Sequence, residues 1–178
     1  MQQKSCLAPH SLKASEVRRT VLANGLTVVT ERISHVRSVS LGIWIQAGSL
    51  TDREDTLGMA HFIEHMAFKG TERRNPFEIA DTIESLGGSL NAFTERDMTC
   101  YYATVLDEHV EIAFDVLADM LTHSRYDPDD IEREKNVVLE EIRSAEDVPE
   151  ELVQDIFGDA TLSPDPVSKP ILGTIETV

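Results

Sequence analysis

Two cysteines in 178 residues, Cys6 and Cys100, are too few and too far apart to form a disulfide framework, and that scarcity fits a reducing compartment. No run approaches the roughly 18 uncharged apolar residues a membrane span needs, so no membrane partner is expected. Positive charge is also scarce: 16 Lys and Arg stand against 32 Asp and Glu, for a net charge of −16. A field of that sign argues against nucleic acid and anionic lipid as partners. The first residues, Met1–Arg19, lack the roughly 7–15-residue apolar stretch of a secretory signal.

These absences leave a globular protein, 41% hydrophobic and 27% charged, with enough apolar sequence for one core. The expected organisation is a flexible leader over 1–17 followed by one domain over 18–178. The bacterial-type cytoplasm is the expected location. The mitochondrial matrix is the second choice, because the leader is mildly basic and contains serine. Acid is concentrated between Asp127 and Asp159, where thirteen carboxylates face three bases. Such a stretch reads as a solvated helix face, and it would also attract basic peptides.

Hydrophobic period and turn residues predict the elements. Arg18–Ile33 holds two β-rich runs around Asn24-Gly25, a strong hairpin signal. Ser38–Gly48 alternates Val39, Leu41, Ile43 and Ile45 on one face and reads as a strand. Helices are expected over Leu57–Lys69, stopped by Gly70, and over Phe77–Leu86, opened by Pro76 and closed by Gly87-Gly88. Two strands, Ser89–Thr94 and Thr99–Leu106, flank a polar turn. Asp107–His123 and a segment from Asp127 through the 140s read as helices, and the chain beyond Phe157 reads as loop. The expected class is α+β: a mostly antiparallel sheet, helices packed on one face, and a site between two helices beside the sheet.

Residues 61–65, His-Phe-Ile-Glu-His, match the H-x-x-E-H pattern of zinc peptidases. On a helix His61 and His65 lie one turn apart on one face, so both imidazoles reach one metal ion. Glu64 flanks the same face, where it takes a proton from a water that the metal polarises. Phe62, Ile63 and Met66 are expected to anchor the helix. A catalytic zinc needs a third protein ligand, and the acidic helix from Asp127 to Ala145 offers one. With Glu134 at zero and about 100° per residue, Ile131, Val137, Val138, Ile142 and Ala145 average about +30°, Glu141 falls near about −20° and Glu140 near about −120°. The phase turns Glu141 inward and Glu140 outward, with Glu134 two turns away to support a ligand from behind.

The chain resembles the N-terminal portion of the pitrilysin–insulysin–mitochondrial processing peptidase family. The resemblance runs from about Arg18 to Gly173 and rests on Leu57–Met66, Phe68-Lys69-Gly70-Thr71, Leu86-Gly87-Gly88, Asn91-Ala92-Phe93-Thr94, Glu134, Val138–Ile142 and Pro170-Ile171-Leu172-Gly173. It implies one Zn²⁺ on His61, His65 and a glutamate 76 residues beyond His65, which is Glu141. It implies Glu64 as the base, and Glu134 as a structural acid one heptad before the last ligand. It also implies that a peptide substrate adds as a strand beside Asn91, Ala92 and Phe93. A second homologous half or a partner chain closes a chamber in such enzymes and supplies an Arg/Tyr pair. On that reading the chain is the first domain of a longer assembly, lacks a strand of its own sheet, and is inactive or weak by itself. A homo-oligomer is compatible with these features. The alternative function is a non-catalytic zinc-binding module for peptides, or a subunit of a peptidase complex.

Overall fold

The computed structural model describes residues 16–178, so most of the expected 1–17 leader lies outside the described residues. Glu16 and Val17 are strand, not leader. The described residues form two compact units divided after Arg37. The first is a hairpin of β1 (Glu16–Val21) and β2 (Thr27–Arg32), paired from Glu16–Arg32 to Val21–Thr27. Its turn is closed by Leu22 and Leu26, with Gly25 at φ 89°. Asn24 turns its carboxamide oxygen onto the Leu26 amide at 3.1 Å, the local bond that makes Asn a turn residue.

The second unit is built on β3 (Ser38–Ile45), β4 (Ser89–Thr94) and β5 (Thr99–Leu106). All pairings are antiparallel and β5 lies in the middle. Register aligns Leu41 with Ala103 and Leu90, and Ile43 with Tyr101 and Ala92, so one face of the sheet is apolar from edge to edge. Onto it pack α2 (Pro76–Glu84) through Ile79 and Ile83, and α3 (Val110–Thr122) through Ala113, Val116, Leu117 and Met120. Each large side chain buried there contributes about 1.5–3 kcal/mol relative to exposure. Trp44 lies on the opposite face, 62% exposed, with its ring across Gly42. The α+β expectation with helices on one face of an antiparallel sheet holds.

Helix ends follow the punctuation in the sequence. Asn75 and Glu78 form a reciprocal cap on α2, with Pro76 in its first turn. The first helix, α1 (Met59–Ala67), is shorter at both ends than Leu57–Lys69. Its N-terminal amides at Gly58 and Ala60 are held by the Asp52 carboxylate at 3.0 and 3.1 Å. The acidic stretch is two helices, α4 (Pro128–Glu146) and α5 (Pro149–Leu162), with Pro149 opening the second. α5 runs five residues past Phe157, where a loop was expected. Gly158 does not break it, and a Cβ there would lie 3.4 Å from the Ser168 carbonyl.

Two features tie distant segments together. Asp119, its side chain fully buried, accepts from Thr71 at 2.8 Å and from Arg74 at 2.6 Å. Asp115 pairs with both Arg73 and Arg74. Burial alone pushes the Asp119 carboxyl up, but these donors override it and hold it below the usual carboxylate range. The second feature lies before α1. Gly58 and Gly173, at φ 88° and 79°, meet backbone to backbone: a Cβ on Gly58 would stand 2.4 Å from the Leu172 carbonyl oxygen, and one on Gly173 would stand 2.3 Å from that of Leu57. Arg96, in the β4–β5 turn, donates to the Val167 and Lys169 carbonyls and holds the same C-terminal segment.

Gly58→Ala and Gly173→Ala each lower stability by about 1–3 kcal/mol, because a side chain must accept both a left-handed backbone and a clash with fixed carbonyls. Chemical denaturation midpoints check this. Asp119→Asn destabilises the protein at neutral pH. A depressed carboxylate stabilises the fold fully above its ordinary value of 3.8 and loses that contribution as pH falls through the lower folded value. The gap between wild type and Asp119→Asn, followed by denaturation at a series of pH values, therefore narrows below about pH 4.

Candidate metal centre

Helices α1 and α4 pack side by side and bring His61, His65, Glu134 and Glu141 together. On α1 the one-turn spacing turns both imidazoles to the same side, their ring centroids 4.5 Å apart. On α4 the buried face carries Glu134, Val138 and Ile142. Glu141 lies at its edge with a side chain 42% exposed. Val137 is 50% exposed, so it does not belong to the inward stripe in which the helical phase placed it. It falls beyond Glu141 on the wheel, past the limit of the contact with α1. Ile63 likewise is 41% exposed, and Met66 and Ala67 do the anchoring expected of it.

The donor atoms converge. His61 Nε2 and His65 Nε2 are 3.2 Å apart, and Glu141 Oε2 lies 3.7 and 3.5 Å from them. Tetrahedral Zn²⁺ with bonds of about 2.0–2.2 Å has ligand atoms spaced by roughly 3.3–3.5 Å, so the triangle has the size of one face of such a site. Protonation agrees with this. Glu134 Oε1 lies 2.8 Å from His65 Nδ1 and accepts its proton, which leaves the Nε2 lone pair turned towards His61 and Glu141. Two imidazole nitrogens and a carboxylate oxygen form an ordinary zinc donor set, and the residues fit the ion. Burial, reinforced by the neighbouring His65, lowers His61 to about 4, so its imidazole is neutral at pH 7.

Glu134 is 4% exposed and lies between two donors. Lys69 Nζ stands 2.5 Å from Oε2, opposite the bond to His65. Sequence reasoning assigned Lys69 no part, although it lies one turn past His65 and that spacing could have identified it. Glu64 accepts from Thr94 Oγ1 at 2.5 Å. Burial raises the Glu64 carboxyl against the opposing effect of that hydrogen bond. Thr94 too was missed, since nothing in the sequence aligns the end of β4 with the glutamate of the motif.

A cleft of about 660 Å³ opens on His61, Glu64 and Glu141, with Phe93, Glu151 and Asp155 in its walls. β4 is bonded to β5 along one edge, and no strand among the described residues pairs with the other. Asn91 and Ala92 lie along this strand, and Phe93 reaches the cleft 39% exposed. The Ala92 side chain packs against the core. Its amide donates to the Asn91 side-chain oxygen at 2.9 Å.

The sequence profile of the family described as Insulinase (Peptidase family M16) matches residues 27–175. An uncharacterized zinc protease, YmxG, of Bacillus subtilis (strain 168) is 46% identical over 162 residues, 91% of this chain and 40% of that protein. A probable mitochondrial-processing peptidase subunit beta of Arabidopsis thaliana is 43% identical over 169 residues, 95% of this chain and 32% of the relative. Among solved structures, pitrilysin superposes with a TM-score of 0.81 at 28% identity, over 94% of this chain and 18% of that one. A protease from Helicobacter pylori superposes with a TM-score of 0.86 at 23% identity, over 92% and 40%, a likeness of fold. The chain thus spans 40% or less of each of these relatives.

Glu134→Ala removes an acceptor shared by His65 and Lys69 and leaves both donors unpaired. We expect the metal-free protein to lose about 1.5–3 kcal/mol of stability, the range for hydrogen bonds to a charged group, read from urea denaturation.

Proposed function

The chain belongs to the insulinase family, peptidase family M16, and from that premise we propose that it carries the metal-binding half of a zinc endopeptidase site. In this reading His61, His65 and Glu141 hold one Zn²⁺, and Glu134 orients His65. The observation that carries it is the triangle of donor atoms at 3.2, 3.5 and 3.7 Å. When bound, the ion supplies Lewis-acid polarisation of water and of the scissile carbonyl. Glu64 takes the proton of the attacking water and returns it to the leaving amine. The open edge of β4 receives the substrate main chain as an added strand, with Phe93 beside a substrate side chain.

The substrate we propose is a peptide or an unfolded, presequence-like segment. Glu151 and Asp155 stand in the wall of the same cleft, and an acidic wall attracts basic side chains. Because the chain spans 40% or less of these relatives, we propose that residues 16–178 belong to the N-terminal domain of such an enzyme. A second homologous half or partner chain then closes the chamber, and the isolated domain is inactive or weak. No helix of the described residues is long and apolar enough to cross a membrane. We place the protein in the bacterial cytoplasm, with the mitochondrial matrix as the second choice.

Glu64→Gln tests the reading. Peptide cleavage by the complete assembly falls by at least about 10²-fold, while elemental analysis still finds one zinc per chain. Glu141→Gln instead lowers zinc occupancy. Zinc and peptide binding without turnover in both wild type and Glu64→Gln would establish the non-catalytic binding module in place of the peptidase.

A further inference from the structure

Glu64 sits on α1, yet the contact that holds its carboxylate comes from the sheet. Thr94 is the last residue of β4, paired with Thr99 across the turn, so its place is set by the strand register. A threonine hydroxyl has one proton to give. Thr99 gives its own to the Ala47 carbonyl at 2.8 Å. The two hydroxyls are 3.4 Å apart, at the limit of hydrogen bonding. The Thr94 proton is then committed to Glu64 Oε2 at 2.5 Å. Glu64 Oε1 has no hydrogen-bond partner among the described residues.

We propose that Thr94 is a positioning residue for Glu64: its hydroxyl pins one carboxylate oxygen and leaves the other as the one that takes the proton. The inference rests on the proposed role of Glu64 and adds to it. A glutamate carries three rotatable bonds, and the half-buried Glu64 has no other hydrogen bond in the described structure to select its rotamer. Thr94 also follows Phe93 directly on the strand proposed to take the substrate. The base is thereby indexed to the peptide-binding edge through one residue and not through the longer path along α1. Displacing a catalytic group by about 1 Å can cost 10²-fold in rate, so a bond that removes this freedom has a measurable effect on turnover.

The test compares Thr94→Val, Thr94→Ala and Thr94→Ser with Glu64→Gln in the active assembly loaded with zinc. Thr94→Val is expected to lower kcat by about 10- to 10²-fold while KM stays within about twofold and zinc content is unchanged. Thr94→Ser, which keeps the donor, is expected to retain kcat within about threefold. Thr94→Ala removes the hydroxyl without a second methyl on the carboxylate and serves if the valine variant does not fold. Crystal structures of the zinc-free proteins give a readout independent of activity: one Glu64 rotamer in wild type and in Thr94→Ser, and several in Thr94→Val and Thr94→Ala. Unchanged kcat in Thr94→Val or Thr94→Ala beside an inactive Glu64→Gln would overturn the role of Thr94 alone. Full activity in Glu64→Gln would overturn the reading of the base itself. A serine variant as impaired as the valine variant would assign Thr94 to packing.

Discussion

A single carboxylate organises the space between α1 and α4. Glu134 is buried, and an ionised group there is tolerated only with partners that replace its water. Lys69 supplies the counter-charge and His65 supplies a hydrogen bond, and the two lie one turn apart along α1 and its immediate continuation. The two bonds therefore fix where α1 sits against α4 as well as how the His65 ring is turned. His61 follows because it shares the helix with His65, and Glu141 follows because it shares the helix with Glu134. The three donor atoms meet because two rigid helices are keyed together behind them.

Most of the fold was legible because its elements are locally consistent. Asn24-Gly25 and the β-rich run Thr99–Leu106 specify a hairpin and a strand without help from tertiary contacts. The cluster of His61, His65 and Glu141 was legible for a related reason. Helical phase and the motif each depend on spacing within one helix, and both selected residues that the structure brings together. What the sequence hid was contact across elements. Thr94 and Lys69 carry no signature of their own, since one bond runs from strand to helix and the other from the end of one helix to another. The extension of α5 through Gly158 was hidden because the Gly-, Pro- and Ser-containing run beyond Phe157 carries the composition of a loop.

The sheet and the two site helices divide the labour. Register on β5 holds β4 in place, and the end of β4 carries Thr94 to Glu64 and Phe93 to the cleft. The inner face of the sheet is filled by α2 and α3, which supply none of the donor atoms. Chemistry-bearing side chains are thus concentrated at one end of a body whose stability is settled elsewhere. The acidity of α4 and α5 does not disturb that body, because their carboxylates other than Glu134 lie at its surface or face the cleft.

The contact between Gly58 and Gly173 bears on the order in which the protein is made. The backbone entering α1 rests against a segment that leaves the ribosome more than a hundred residues later. Both glycines are needed for that approach. During synthesis both histidines have therefore emerged long before their helix acquires its last support. Such a non-local closure is paid for late in folding. The backbone entering α1 thus gains this contact only after the segment at Pro170–Gly173 has been translated and has returned to it.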